Sequence, residues 1–321
     1  MSFLPKALFV EIASSQALPP APALEVASVG ADRIIVSSTK QAIQSLAHLQ
    51  QNTLAVLVSN TADVQLFAEC RKRHPHASTV LMTDHTIHQY ATDLESKDTE
   101  LLDHVIANVS ERWAIDDLRI TIQKILRKDI FGIEKYLQGE TAVFHKTVSS
   151  SLDRDVINSE VQKWAESCGL GKNIGRLAFG ITEELLMNAI FDAPIAGGRA
   201  NYELLERTSH RNLQPDEYSE LSFAYDSRIL AISIADPFGA FKREKWWHYT
   251  RKILKRDDTE VLIDTKKGGA GLGIFKILYS SHGVVCNIDP GKKTEVIVLI
   301  DSTHPVRDFA VMPRSIHYFS T

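Results

Sequence analysis

The chain has few of the residues that would tie it to an oxidising compartment, a membrane or nucleic acid. Its three cysteines, Cys70, Cys168 and Cys286, are odd in number and far apart. They form neither a disulfide framework nor a metal-ligand spacing, and they point to a reducing cytosol. No run approaches the roughly 20 apolar residues of a membrane span. The apolar start around Ala7–Val10 is cut by Glu11, so no signal-peptide core follows. Basic residues are not in excess: 36 Lys and Arg stand against 40 Asp and Glu, a net charge of −4 that argues against a general nucleic-acid binder. The expectation is a cytoplasmic protein with neither membrane nor nucleic acid among its partners.

What is present is an ordinary globular composition. Over 321 residues, 44% are hydrophobic and 24% charged, enough for two cores. The division expected is a first domain over 1–129, a linker over 130–145, a second domain over 146–304 and a tail over 305–321.

In the first domain, short apolar runs alternate with helical patterns. Strands are predicted at Ala7–Ile12, Arg33–Val36, Leu54–Val58, Thr79–Thr83 and His104–Ala107. Helices are predicted at Thr39–Gln50, Ala62–Arg73 and Ile115–Leu126. Strands that read as continuous apolar runs are buried on both faces, which predicts a doubly wound parallel sheet of five strands. In length, element order and closing helix this domain resembles a response-regulator receiver. The resemblance implies an acidic pair after the first strand, where only Glu11 is acidic. It implies a phosphorylatable Asp after the third, where the chain reads Val58-Ser59-Asn60, and a Lys after the fifth, where Asn108 stands. Only Thr83, after the fourth strand, matches. Without the acids there is no Mg²⁺ site and no carboxylate to phosphorylate, so a pseudo-receiver acting by contacts is expected. Asp63 and Asp84 read as ordinary surface acids.

The linker is broken by Gly132 and Gly139. Its one nearby histidine, His145, lies in a run that alternates like a strand and carries no acidic residue after it. A phosphoaccepting helical hairpin is therefore not expected.

In the second domain, helices are predicted over Asp153–Cys168 and Ile174–Ala193. The latter carries Glu184 and Asn188, four apart and therefore on one helix face. A carboxamide oxygen can ligate Mg²⁺ held mainly by phosphate, and a carboxylate can take a proton from an attacking oxygen. As an isolated pair they also suit a solvated helix surface. Two strands follow, Leu221–Tyr225 and Ile229–Ala235, the second running into Asp236-Pro-Phe-Gly-Ala. Such an Asp is either a turn starter or an acceptor for a ligand amino group. Residues 242–267 are basic and aromatic, with Trp246, Trp247, Arg251 and Lys252, and read as a lid or as a solvated helix. A hairpin is predicted from Gly283–Ile288 and Thr294–Ile300 around Pro290-Gly291.

Between lid and hairpin lies Lys266-Lys-Gly-Gly-Ala-Gly-Leu-Gly-Ile-Phe-Lys276. Glycines 268, 269, 271 and 273 precede an apolar helical run, a combination suited to phosphate. Neither common phosphate loop fits. Ile274 and Phe275 follow Gly273 where a P-loop needs Lys-Ser/Thr, and Ile274 takes the third glycine place of G-x-G-x-x-G.

Taken in order, these pieces resemble the ATP-binding domain of the gyrase, Hsp90, histidine-kinase and MutL (GHKL) superfamily, an α/β sandwich with a mixed sheet. The resemblance implies that ATP and Mg²⁺ bind, with Asn188 as metal ligand and Glu184 as catalytic base. It assigns nucleotide contacts to Asp236, Gly239 and Thr294 near adenine, and to Lys267, Gly269, Gly271, Leu272 and Gly273 along the phosphates. Phe238 and Ala240 depart from the usual glycines, and Asp192 stands where the anti-sigma serine-kinase branch often has His. That branch is nonetheless the nearest in outline. Three alternatives follow: a protein kinase acting on Ser or Thr of a partner, a non-catalytic nucleotide-gated module, and an ATPase. The partners implied are a sigma or anti-anti-sigma-like factor or a two-component protein, and dimers are common in the resembled family. The tail offers no reading.

Overall fold

The computed structural model describes residues 4–11, 18–86, 101–107, 112–199, 209–254, 272–309 and 312–321. The chain is α/β, with both parallel and antiparallel strand pairs. It divides into two compact units: Met1–Ile130 with Pro313–His317, and Phe131–Met312 with Tyr318–Thr321.

The first unit runs β1 (Lys6–Val10), α1 (Ala21–Ala27), β2 (Asp32–Val36), α2 (Thr39–His48), β3 (Leu54–Ser59), α3 (Val64–Arg73), β4 (Ser78–Thr83), β5 (His104–Ala107) and α4 (Arg112–Arg127). The strands lie in the order β2-β1-β3-β4-β5, every pair parallel. Alternation along each strand sends Ala7, Phe9, Val56, Val58, Val80, Met82 and Ile106 to one face, where Leu24, Ala27, Leu118 and Ile122 of α1 and α4 cover them. Leu8, Leu57 and Leu81 alternate to the other face and are equally buried. Ser38 caps α2 by accepting from the Gln41 N–H, and Asp63 caps α3 by accepting from the Leu66 N–H. Asp63 also accepts from the Thr39 hydroxyl at 2.7 Å, which makes it a structural acid.

This unit also holds part of the tail. Ser315–Ser320 form a strand, β11, whose Ile316 and His317 pair antiparallel with Val105 and His104 of β5. Ser315 Oγ accepts from the Ala107 N–H at 3.2 Å. His317 is buried with Asp117 of α4, Nε2 to Oδ2 at 3.1 Å.

The second unit runs β6 (Phe144–Val148), α5 (Asp153–Ser167), α6 (Gly171–Met187), a π-helical turn (Asn188–Asp192), α7 (Ala193–Ala196), β7 (Ser219–Tyr225), β8 (Ile229–Asp236), α8 (Arg243–Leu254), α9 (Leu272–Tyr279), β9 (Gly283–Asp289) and β10 (Lys293–Asp301). Its strands lie in the order β9-β10-β8-β7-β6, every pair antiparallel. Helix α6 packs on α5, β8 and α9. Phe144, Phe223 and Trp164 form an aromatic cluster that seats α5 over β6 and β7, the last two rings meeting edge-on at 4.8 Å.

Residues 131–145 pack as part of this unit. Ile133 and Tyr136 of a 3₁₀ turn are buried, and the Gly132 N–H donates to Glu295 Oε2 at 2.9 Å. The end of β11 belongs here as well. Thr321 donates its N–H to the Ile288 carbonyl, and the Tyr318 hydroxyl donates to the Phe241 carbonyl at 3.3 Å.

Candidate functional site

The site is built around the C-terminal end of α6. Ile174, Ala178, Ile181 and Leu185 recur at helical spacing and are buried, which fixes the rotation of the helix on the sheet. The two consecutive glutamates therefore diverge. Glu183 faces α5, pairing with Arg154 and accepting from Asn158 Nδ2 at 2.7 Å. Glu184 faces α9, where its Oε1 accepts from Lys276 Nζ at 2.7 Å.

The helix does not continue as α past Asn188. The Asn188 N–H still reaches the Glu184 carbonyl, so the two side chains share a face as the spacing predicts. The next turn widens: the Ala193 N–H reaches back five residues to the Asn188 carbonyl. Pro194 is the physical cause. It has no N–H to give the Ile190 carbonyl four residues back, and its ring crowds that oxygen. The stranded carbonyl is taken by Arg211, a buried guanidinium that also pairs with buried Glu217 at 3.5 Å. Such single π turns are frequent at functional sites.

The α and π turns together place Leu185, Asn188, Ala189, Asp192, Ala193 and Ala196 along one wall of a cavity. Ile234 and Asp236 of β8 and Val284, Thr294 and Val296 of β9 and β10 form its floor. Ala240, Phe241, Lys245, Trp246 and Ile277 complete the lining. Its empty volume, counted out to the open solvent at its mouth, is about 810 Å³. Most of the lining is apolar, with polar groups at a few points, the usual composition of a small-molecule site.

Asp236 is the buried polar group of the floor. Register sets it directly opposite Thr294 on the neighbouring strand. Burial pushes its carboxyl up to about 6, while hydrogen bonds from the Phe238 N–H, the Thr294 hydroxyl and the Gly239 N–H pull the other way. The Phe238 bond, at 2.9 Å, closes the turn after β8. The Asn188 carboxamide, by contrast, has no hydrogen-bond partner among the described residues.

The remaining expected residues fall in different places. Gly239 does not line the cavity. It has φ +56, and a Cβ there would lie 2.6 Å from Lys292 N and 2.7 Å from Gly291 N, so it serves the packing of the β9–β10 turn. Gly273 sits in the first turn of α9, where a Cβ would lie 2.7 Å from Glu184 Oε2. Leu272 opens the same helix. Lys267, Gly268, Gly269 and Gly271 lie outside the described residues. Of the basic, aromatic stretch 242–267, the described part is α8, whose Trp246 and Trp247 are buried. Phe241 meets the Trp246 ring edge-on at 6.1 Å. Lys245 belongs to the basic stretch expected over 242–267, whereas the contact of Lys276 with Glu184 and the π turn have no counterpart in the sequence reading. No local signal marks Lys276, whose partner is 92 positions away.

Outside the cavity, His145 lies on β6 with its Nδ1 2.9 Å from Ser222 Oγ. The strand ends of the first unit carry local turns. Ser59 Oγ accepts from the Thr61 N–H at 3.2 Å, and Thr83 Oγ1 accepts from the His85 N–H at 3.0 Å. No helix among the described residues is long and apolar enough to cross a membrane.

No family model matches the chain, and no curated protein matches it. Among solved structures, it is similar to a chain from the crystal structure of the SiaB–SiaC complex of Pseudomonas aeruginosa. Identity is 12% and the TM-score 0.33, over 52% of this chain and 94% of that one, a likeness too low to carry function across.

Proposed function

We propose that the second unit binds ATP with Mg²⁺ in the α6–β8 cavity, and that the chain is a nucleotide-responsive signalling protein of the GHKL type. The observation that supports this best is the buried Asp236–Thr294 pair on the floor of an apolar cavity whose wall also carries Asn188. Asp236 accepts a hydrogen bond from the adenine amino group, and the apolar lining receives the flat ring. The donor set suits the metal, since the Asn188 carboxamide is not engaged by another described side chain and hard cations take neutral oxygen ligands beside phosphate. When bound, Mg²⁺ supplies charge neutralisation on the phosphate oxygens. Asn188 would hold it.

In the catalytic form of this reading, Glu184 accepts the hydroxyl proton of a partner's Ser or Thr as phosphate is transferred. The non-catalytic form has a specific observation in its favour: the Glu184 carboxylate is already held by Lys276. The first unit fits a pseudo-receiver, because Ser59 and Thr83 close turns at the strand ends where the receiver family places its chemistry. Its role is contact with a protein partner, such as a sigma or anti-anti-sigma-like factor or a two-component protein.

Calorimetry of the full chain with ATP and Mg²⁺ tests the binding. Wild type binds, Asp236→Asn loses at least about tenfold, as expected when a buried hydrogen-bond acceptor is replaced by a group that is partly a donor. Asn188→Ala weakens ATP with Mg²⁺ more than ATP with chelator. No heat with any adenine nucleotide would end the proposal. Labelled ATP with cell extract, comparing wild type with Glu184→Ala, separates kinase from non-catalytic module.

A further inference from the structure

We infer that Lys276 is a phosphate-responsive latch on Glu184. Without a ligand its ammonium holds the carboxylate. The terminal phosphate of a bound nucleoside triphosphate draws the ammonium away and leaves the carboxylate free. This rests on the nucleotide reading above and adds the regulation of that site.

The geometry carries it. Gly273 and Lys276 are three apart on α9 and share one face. That face meets Glu184 with both of its elements: the ammonium is 2.7 Å from Oε1, and the bare Gly273 backbone abuts Oε2. A side chain at 273 would displace the end of the Glu184 carboxylate, so the glycine leaves the room in which that carboxylate sits. The pair itself is not in the cavity lining, but its neighbours are: Asn188, one turn beyond Glu184 on α6, and Ile277, next to Lys276 on α9, both line it.

The two partners differ in exposure. The Lys276 side chain is 60% exposed and the Glu184 side chain 15%. An exposed lysine held by one carboxylate is weakly fixed, because solvent screens the pair and the long side chain gains freedom on release. A phosphate with two charges and three acceptor oxygens offers that ammonium stronger charge-assisted bonds. The carboxylate, three-quarters or more enclosed beside Gly273, has no such freedom to follow. Transfer of the ammonium therefore leaves Glu184 in place and without its counter-charge, beside the incoming phosphate. A base is exposed only when its substrate is present.

The test is calorimetry of the full chain with ATP, ADP and adenosine, all with Mg²⁺. Lys276→Met weakens ATP by about tenfold, as loss of a charge-assisted phosphate contact does, and leaves adenosine unchanged. Lys276→Arg retains most of the ATP affinity. Glu184→Gln frees the ammonium in advance and tightens ATP several-fold, and this gain disappears in the Glu184→Gln, Lys276→Met double variant. If Lys276→Met shifts ATP and adenosine alike, or Glu184→Gln brings no gain, Lys276 is only a surface ion-pair partner and the latch is overturned while nucleotide binding stands. If wild type binds neither ATP nor adenosine, the nucleotide reading falls and the latch falls with it.

Discussion

Phe238 lies against the bare backbone of Gly197: a Cβ on Gly197 would come within 2.9 Å of the ring Cγ. The ring that replaces a glycine in the turn after β8 is thus turned towards the end of α7, and it is absent from the cavity lining. Phe238 and Gly197 are a matched pair, bulk at one position and its absence at the other. Gly197→Ala is expected to displace the ring and cost about 1–3 kcal/mol, the range for overpacking. Phe238→Ala should lower stability while leaving adenosine affinity within about twofold, as its position outside the lining requires. Urea denaturation and calorimetry on both variants check this. A large loss of adenosine affinity in Phe238→Ala would place the ring in the site.

Gly239 gives a sharper expectation. Its φ of +56 is costly for any other residue, and the hairpin turn at Gly291 and Lys292 fills the space of a Cβ. Gly239→Ala should destabilise by on the order of 2 kcal/mol or more, from strain and crowding together. The Gly239 carbonyl accepts from the Gly291 N–H at 3.1 Å, so the damage spreads to the β9–β10 turn. Denaturation midpoints for Gly239→Ala beside Gly198→Ala test it. Gly198 also has positive φ, but nothing lies near its Cβ position, so its variant should suffer the smaller loss.

The π turn makes a third. Arg211 is buried with one amino group on the Ile190 carbonyl and another facing Glu217. Arg211→Met strands that carbonyl and removes one partner of buried Glu217, which keeps the Gln214 N–H at 3.0 Å and Arg199 at 3.7 Å, and should cost about 1–3 kcal/mol. Glu217→Gln should cost less in the Arg211→Met background than in the wild type, because the Arg211–Glu217 pairing is already gone. A double-mutant cycle by urea denaturation measures the coupling, and additive losses would show that Arg211 acts through packing alone.

These three relationships also show which parts of the molecule can be read from local sequence. Four strands of the first unit, β1, β3, β4 and β5, are visible because both of their faces are buried and apolar residues run together, whereas the edge strand β2 is largely exposed. The last strand is equally buried over Ser315–Phe319, but Ser-Ile-His-Tyr-Phe carries two polar residues whose partners, Ala107 and Asp117, are some 200 positions away. No local pattern shows that they are satisfied. In the cavity, Asn188 stands out with Glu184 as a pair four apart on one helix and Asp236 as an acid at a strand end, whereas Thr294 is marked only by the family resemblance. The tie of Glu184 to Lys276 comes from the packing of α9 on α6. The widening after Asn188 is half legible: Pro194 shows that a helical bond must be lost, yet only the fold shows that Arg211 replaces it.

The acid on the cavity floor sets the last expectation, in pH. Asp236 has an ordinary value of 3.8 and is raised to about 6 in the fold, chiefly by burial. Between those values the folded chain holds a proton that the unfolded chain has released, so stability falls as pH rises. The contribution is fully present below the unfolded value and lost above the folded one, and amounts to roughly 3 kcal/mol. Asp236→Asn should remove that part of the slope between pH 4 and about 6, as read from urea denaturation across the range. Ligand affinity should run the opposite way. A base whose amino group donates to Asp236 prefers the ionised carboxylate, so its binding strengthens as pH rises through about 6 and levels off above. Adenosine is the suitable probe, since it has no phosphate to titrate over the same interval. Adenosine affinity that is flat from pH 5 to about 7.5 would mean that Asp236 does not receive the base, even if the stability profile follows its titration.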